Sequence, residues 1–384
     1  MTTAAAPWDV VIVGGGLGGL SLAVELAHPQ YAHLRVLVLE KRTRYQRDRT
    51  WSYWGTHRHR FSDVERRRWH RWSVRFEGRQ CVQTSAIPYC TIDADAFYSA
   101  ALAHIAATNH VQIRMGCAVR SVAGTSADGG LIKVQLADGS QESARWIMDA
   151  RPDSASAGTG LVQHFVGWEI RTPNDCFDDT TVELMDFQPA TSGLHFFYVL
   201  PYGPRHALVE TTWISALGVP PDYETELRSY LQNRYGLGLF ECVYQERGQL
   251  PLQGEPHATP NPRIVRVGQG AGTLRPSTGF AFLETVADAR RLAQCLGRAG
   301  TNTAAIPSFQ RKTLNRWMDR VFFQALQAHW PVAPRYFMAL FSGTSAQTLV
   351  PFLSGNATLW QRLKVVMQLP KMVFLRAAWQ SIVG

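Results

Sequence analysis

Residues 11–26, VIVGGGLGGLSLAVEL, constrain the fold more than any other part of the chain. Residues 9–13 are an apolar run of strand length, and residues 20–27 have helical character. Residues 34–39 are a second apolar strand, ending at Glu40. Gly14, Gly16 and Gly19 punctuate the first strand-to-helix turn as G-x-G-x-x-G. The first glycine permits the tight turn, the second lets backbone approach a pyrophosphate, and the third packs helix on strand. The helix N-terminus then offers free amides and partial positive charge to phosphates.

Alone, the motif is weak. Between a strand and a helix, with an acid closing the next strand, it predicts a dinucleotide site at the start of a doubly wound domain. Glu40 is placed to bond ribose hydroxyls, which disfavours NADPH here, and a fingerprint at the chain start favours FAD over NAD. A second glycine-rich turn, residues 268–272, follows a strand predicted over 263–267 and includes Gly270. Pro276, Thr278 and Gly279 come next, where a helix N-terminus would face the flavin and stabilise negative charge on its reduced form.

The remainder predicts an α/β chain with a Rossmann-type FAD-binding domain, an inserted β-rich substrate domain and a helical C-terminal region. The expected division is FAD-binding segments at 1–80, 111–160 and 259–300, a cap or substrate segment at 81–110, a β-rich substrate domain at 161–258, and helices at 301–384. The formal charge is +9, and residues 41–79 carry thirteen basic residues against four acidic ones, with Trp51, Trp54, Trp69 and Trp72 among them. A solvated face, a ligand-facing patch and a membrane-facing patch all fit that stretch. A nucleic-acid binder would leave the fingerprint unexplained, so no nucleic-acid partner is expected. The six cysteines have no CxxC spacing and suggest reduced cytosolic thiols, with no metal site. No apolar run reaches the roughly 18 residues of a membrane-spanning helix, so any membrane association would be peripheral.

With these residues in hand, the chain resembles the lycopene β-cyclases of carotenoid-making bacteria. The likeness runs through Asp48-Arg49-Thr50-Trp51-Ser52-Tyr53-Trp54, Tyr89-Cys90-Thr91-Ile92, Ile147-Met148-Asp149-Ala150-Arg151, residues 198–213, Gly248-Gln249-Leu250-Pro251 and residues 272–280. Three positions depart from the family pattern. Ala150 replaces a glycine, Glu210-Thr211-Thr212 replaces Glu-Asp-Thr, and Arg275-Pro276-Ser277 replaces His-Pro-Thr. The resemblance implies an aromatic-hydroxylase-like fold and an intramolecular lyase or isomerase. Its substrate would be lycopene, closed to β-carotene through γ-carotene, with reduced FAD, no net redox change and NAD(P)H as electron source. It also implies a peripheral place on the inner face of the cell membrane and coupling to other carotenoid enzymes. The rival expectations are a hydroxylase or isoprenoid reductase of the same fold, or a cyclase acting on another polyene or terpenoid.

Ring closure begins by protonating an alkene, so the site needs an acid, a base, cation stabilisation and a dry cavity. Glu210, following Ala207-Leu208-Val209, is the expected acid/base; an ion-paired strand carboxylate is the other reading. Trp51, Tyr53, Trp54 and Trp213 are expected to line the cavity through cation–π contacts, or else to pack in the core. Arg49 and Thr50 are expected at the flavin, with a surface salt bridge the other reading for Arg49. Asp149, at a strand end, would hold the flavin side or cap a turn. The tail, residues 360–379, mixes Arg362, Lys364, Lys371 and Arg376 with large apolar residues around Pro370, as an interfacial helix pair or a buried terminal helix would.

Overall fold

The computed structural model describes residues 6–124, 130–152, 160–216, 218, 220–252, 259, 261–299 and 306–383. Along the chain come β1 (Trp8–Val13), α1 (Leu17–Leu26), β2 (Val36–Leu39), β3 (Thr50–Trp54), β4 (Arg67–Phe76), β5 (Arg79–Asp93) and α2 (Ala94–Ala106). Then follow β6 (Val111–Arg114), β7 (Val119–Ala123), β8 (Ile132–Leu136), β9 (Gln141–Asp149), β10 (Leu161–Arg171), β11 (Thr181–Gln188), β12 (Leu194–Gly203) and β13 (His206–Ala216). The last part holds α3 (Tyr223–Tyr235), β14 (Glu241–Pro251), β15 (Ile264–Arg266), α4 (Phe282–Ala299), α5 (Thr313–Ala328), α6 (Ala333–Gly343), α7 (Ala346–Leu353), α8 (Leu359–Val366) and α9 (Lys371–Val383).

The first sheet has the order β6-β2-β1-β9-β8-β7, with β15 also paired to β9. β1 runs parallel to β2 and β9, which aligns Val13 with Leu39 and with Asp149. β15 sets Arg266 beside Asp149. The carboxyl ends of five parallel strands, β6, β2, β1, β9 and β15, therefore open at one edge, where ligands bind in open α/β sheets. Strand β1 is apolar because both its faces are covered: Val10 and Ile12 pack with α1, α2 and α4, and Val11 and Val13 pack with β8 and β9.

The second sheet has the order β14-β10-β13-β12-β11-β4-β5-β3 and is antiparallel except at β11–β4. Its faces separate by strand alternation. Val209 packs under α3 with Leu227 and Leu231, while Leu208 faces the core shared with α5, α6, α7 and α9.

This layout corrects two of the expected segments. Residues 50–76 supply β3 and β4 to the second sheet rather than to the FAD-binding layer. The pattern was hidden because a bulge between Trp69 and Arg71 breaks the two-residue period, and arginines intervene between buried Trp69, Trp72, Val74 and Phe76. Conversely α2, expected in the cap segment, buries Phe97, Tyr98, Ala101 and Ile105 in the core beneath the first sheet. The stretch 111–122 is two strands, broken near Gly116 with φ +72°. The expected boundaries at 258 and 300 fall on residues outside those described.

Candidate active site

The phosphate end is built by α1. Gly14 has φ +97°, and its N–H donates to the Leu39 carbonyl at 2.8 Å. A Cβ on Gly19 would strike the carbonyl oxygen of Gly14, so helix and strand meet there without a side chain. Gly16 differs, since a Cβ there would meet nothing within 4 Å. It is the N-cap of α1, makes no side-chain capping bond and lines a large cavity. The first turn's amides therefore stand uncapped beside the cavity, where they can receive a phosphate.

Glu40 also lines the cavity, but its carboxylate is engaged within the chain. Oε2 accepts from Gly15 N at 2.6 Å and Arg42 Nη2 at 3.3 Å, and Oε1 accepts from Arg42 N and Nε at 2.8 and 3.0 Å. A ribose hydroxyl would have to replace one of these donors. Burial opposes the Glu40 charge, and the bonds from Arg42 and Gly15 outweigh it, leaving the pKa below the ordinary value. Asp149 ends β9 and holds Arg151 through Nε and Nη2 at 2.9 and 2.8 Å and Arg266 Nη1 at 3.1 Å. It thereby fixes Arg151, Ala150 and the Gly270 turn, which do line the cavity, while standing behind them. A Cβ on Gly270 would come within 2.7 Å of the Arg151 carbonyl.

The cavity has a volume of about 2130 Å³ and extends from Gly16 to the helices of the C-terminal region. A pocket for one drug-sized ligand holds roughly 300–1,000 Å³, so this one has room for a dinucleotide and a second long molecule. Its far end is apolar, walled by Phe337, Leu340, Phe341, Phe352 and Phe374. Pro276, Thr278 and Gly279 form a turn in its wall, closed by Arg275 N to Phe280 O at 2.8 Å and Gly279 N to Arg275 O at 2.9 Å. Gly279 has φ +69°, and a Cβ would sit 2.8 Å from Gln163 Oε1. The expected helix N-terminus is displaced, since α4 begins at Phe282, three residues beyond this turn.

Between the two ends sits Glu210, on β13 and 7% exposed. Its Oε1 accepts from Thr212 Oγ1 at 2.6 Å. Burial raises its pKa first, the negative charge of Glu246 adds to the rise, and the Thr212 bond offsets part, leaving it pushed up to about 8. Tyr198 lies directly across β12 from it, and the Tyr198 hydroxyl donates to that of Tyr89 at 3.0 Å. Glu246 was not singled out from the sequence. It follows Tyr244 on an edge strand whose neighbouring residues are largely exposed, and no spacing ties it to Glu210. Register is what joins them: Gly167 of β10 pairs with Glu210 on one side and Glu246 on the other.

The other expected site residues divide by strand parity. On β3, Thr50 and Trp54 line the cavity, and Trp51 reaches it from a cluster with Phe97, Tyr98 and Phe282. The Thr50 hydroxyl is donated to Glu246 Oε2 at 2.9 Å. Tyr53 points away, stacked on Phe282 with centroids 4.7 Å apart and bonded to His59 and Glu65, so it does not line the cavity. Trp213 does not line it either. Three residues from Glu210 on one strand, it falls on the opposite face, stacked on His195 and donating to Glu226 of α3. Arg49 is half-exposed at the cavity edge and pairs with Asp48. Among the described residues, no group of His, Cys, Asp and Glu is placed to hold a metal.

A parallel sheet with a glycine cradle, joined to an antiparallel sheet that carries a buried acid into an apolar chamber, defines a protein of the FAD-dependent flavoprotein fold. Solved structures agree at the level of the fold. A geranylgeranyl bacteriochlorophyll reductase-like protein from Thermoplasma acidophilum superposes with TM-score 0.64 at 15% identity, covering 96% of this chain and 98% of its own. A flavoprotein/dehydrogenase from Cytophaga hutchinsonii gives 0.62 at 12% identity, over 94% and 99%. A point mutant of the halogenase PltM in complex with FAD gives 0.58 at 14% identity, over 91% and 82%. Within that class the chain belongs to the lycopene cyclase protein family, whose pattern matches residues 9–379. A curated relative, lycopene beta-cyclase of Paracoccus sp. (strain N81106 / MBIC 01143), is 28% identical over 352 residues, 82% of this chain and 83% of the relative.

Proposed function

We propose that this chain closes the linear ends of lycopene into β-ionone rings, giving β-carotene through γ-carotene, with FAD bound in its reduced form and no net redox change. The observation that carries the reading is Glu210, a carboxyl group kept protonated by burial in the wall of an apolar chamber. Glu210 gives its proton to C2 of the terminal alkene, leaving a cation at C1. The C5–C6 double bond supplies the electrons of the new C1–C6 bond, and the cation moves to C5. Loss of the C6 proton restores a double bond, and the Glu210 carboxylate, ionised by the first step, is the base that takes it. One proton enters and one leaves for each ring. Trp54 and the Tyr89–Tyr198 pair present ring faces and neutral hydroxyls to this region.

The uncapped start of α1, the open space at Gly16 and the turns around Gly270 and Gly279 fit FAD. When bound there, reduced FAD would supply negative charge to the chamber, and NAD(P)H would be the source of its electrons. The apolar substrate enters from a membrane. Val366, Met367, Lys371 and Leu375 of α8, α9 and their junction line the cavity, while Trp360, Met372, Trp379 and Ile382 project outward beside Lys364 and Arg376. That surface suits an anionic bilayer, so the protein works peripherally on the inner face of the cell membrane, beside the enzymes that supply and use the polyene.

The test is an anaerobic assay with photoreduced enzyme and lycopene in liposomes, run in heavy water. Many turnovers per reduction, with one deuterium per ring at C2, support the cyclase. Product limited to one equivalent of reductant, or rings without solvent deuterium, overturn it in favour of a redox flavoenzyme of the same fold.

A further inference from the structure

We propose that Glu246 is a positioning residue for the proton donor: held across Gly167 from Glu210, its negative charge keeps the proton on Glu210. The inference rests on the reading of Glu210 as the acid. In antiparallel pairing, residues directly opposite share a face, so Glu210, Gly167 and Glu246 point the same way. A Cβ at position 167 would lie 3.2 Å from Glu246 Cγ and 3.6 Å from Glu210 Cβ. Leu208 Cδ1 would lie 3.3 Å from the same Cβ, so the missing side chain lets Glu246, Leu208 and Glu210 close together over the strand.

The charges around the pair decide which member ionises. Glu246 Oε2 accepts from the hydroxyls of Thr50 at 2.9 Å and Tyr244 at 3.1 Å. Arg47 lies nearby, over the Tyr244 ring at 3.8 Å, and favours the Glu246 charge. Its guanidinium is already committed to Glu169 at 2.6 Å and Asp93 at 3.1 Å, and Arg66 holds the same two acids. Asp93 opposes the Glu246 charge, and the buried phenol of Tyr202 faces the same cluster. Around Glu210 the neighbours are neutral: Thr212 on its own strand, Tyr198 on β12 and Tyr89 on β5. Burial pushes Glu246 up to about 7, with Thr50, Tyr244 and Arg47 acting against it. Glu246 therefore ionises before Glu210, and the charge it acquires opposes a second ionisation alongside it. Between about 7 and 8 the pair holds one proton, and that proton sits on the member that faces the chamber. Position 211 faces α3, where Thr211 bonds His195 and Glu226, so the like charge beside Glu210 comes from Glu246, two strands away.

The experiment compares full-length, FAD-loaded enzyme with Glu246→Gln, Glu246→Asp, Tyr244→Phe and Glu210→Gln. It reads the pH profile of cyclisation by the reduced enzyme and, separately, an infrared titration of the carboxylic-acid band that Glu210→Gln removes. In Glu246→Gln the alkaline limb and the infrared midpoint should both move down, by about one pH unit, so that the rate above the limb falls about tenfold. Glu246→Asp retains the charge and should restore most of the profile. Tyr244→Phe keeps the carboxylate and removes a donor to its charged form, so it should move both readouts in the same direction as Glu246→Gln, by less. It also serves if Glu246→Gln fails to fold. Unmoved profiles and midpoints in Glu246→Gln and Tyr244→Phe would overturn the positioning role. Full activity in Glu210→Gln would instead overturn the assignment of Glu210 as the acid, while the infrared midpoints would still report whether Glu246 controls its proton.

Discussion

Arg275 Nε lies 3.4 Å from Asp319 Oδ1, with both side chains buried where the glycine turn of the FAD-binding layer meets α5. Arg275 Nη1 also donates to the carbonyls of Phe352 and Leu353 at 2.6 and 2.7 Å, and Ser277 Oγ donates to Asp319 at 2.6 Å. One guanidinium thus ties the turn beside Gly279 to α5 and the end of α7.

Arg275→Met should cost roughly 3 kcal/mol of stability, because it removes an ion partner of buried Asp319 and leaves the carbonyls of Phe352 and Leu353 without their donor. Urea unfolding would measure it. Adding Asp319→Leu should not recover the loss, since Arg311 and Arg362 also face the Asp319 charge. Arg275→Lys should rescue poorly, because an ammonium cannot reach the carboxylate and both carbonyls from one plane.

Gly16→Val and Gly19→Val should fail in different ways. A Cβ at Gly16 meets no protein atom, so Gly16→Val should fold normally and lose FAD as its side chain fills the pyrophosphate space. A Cβ at Gly19 runs into the Gly14 carbonyl, so Gly19→Val should lose stability even without cofactor. Flavin absorbance and apo-protein melting, measured on both variants, separate the two. Full FAD occupancy in Gly16→Val would contradict the placement of the cofactor.

Those glycines were legible because strand, turn, helix and acid lie within forty consecutive residues, and each local signal reinforces the next. The second sheet was less so. It gathers β3 to β5 with β10 to β14, and pairing between segments a hundred residues apart leaves no local trace. Glu210 could be found from its apolar strand, but Glu246 could not, because it acquires meaning only through Gly167. Tyr53 and Trp213 were misplaced for a simpler reason. An aromatic-rich strand supplies both faces of a sheet, and composition does not say which residue faces which side.

Strand parity therefore predicts that Trp213→Phe keeps cyclisation within about threefold, under roughly 1 kcal/mol of barrier. Trp213 faces α3 and gives up only its bond to Glu226. Trp54→Ala, which opens the cavity wall between Trp72 and Tyr89, should lose far more. Steady-state rates on liposomal lycopene decide the comparison.

Glu210→Gln should retain fold and flavin, lose most cyclisation, and gain stability at high pH. The sign follows from the raised pKa. In the folded wild type Glu210 holds its proton up to about 8, whereas the unfolded carboxyl releases it near its ordinary value. Folding is therefore favoured by the proton below the unfolded pKa, and that advantage disappears as pH rises through the folded pKa. Glutamine does not titrate, so the variant's gain over wild type should be absent near pH 4, grow between about 4.5 and 8, and level off above at on the order of 5 kcal/mol. Unfolding free energies across this range give the curve. A gain that does not change with pH would mean that Glu210 is not held protonated.

The outward face of α8 and α9 makes the last claim. Met372, Leu375, Trp379 and Ile382 follow one another at helical spacing and are 65–80% exposed, while Phe374, Ala377 and Ser381 on the other side are buried. Leu359, Trp360, Leu363 and Met367 extend the same apolar surface along α8 and its end, with Lys364, Lys371 and Arg376 among them. Among the described residues no helix is long and apolar enough to cross a membrane, so this surface would lie in the interface rather than span it. Replacing Trp360, Met372 and Trp379 together with serine removes apolar area without touching the cavity lining. The triple variant should bind FAD and cyclise lycopene presented in detergent at close to the wild-type rate. On vesicles it should lose at least tenfold in activity and stop floating with them in a density gradient. Wild-type binding should rise with the fraction of anionic lipid and weaken with salt, since each well-placed basic residue contributes roughly 1 kcal/mol near such a surface. Flotation that ignores both lipid charge and the three substitutions would refute docking through α8 and α9, and would leave the chemistry at Glu210 untouched.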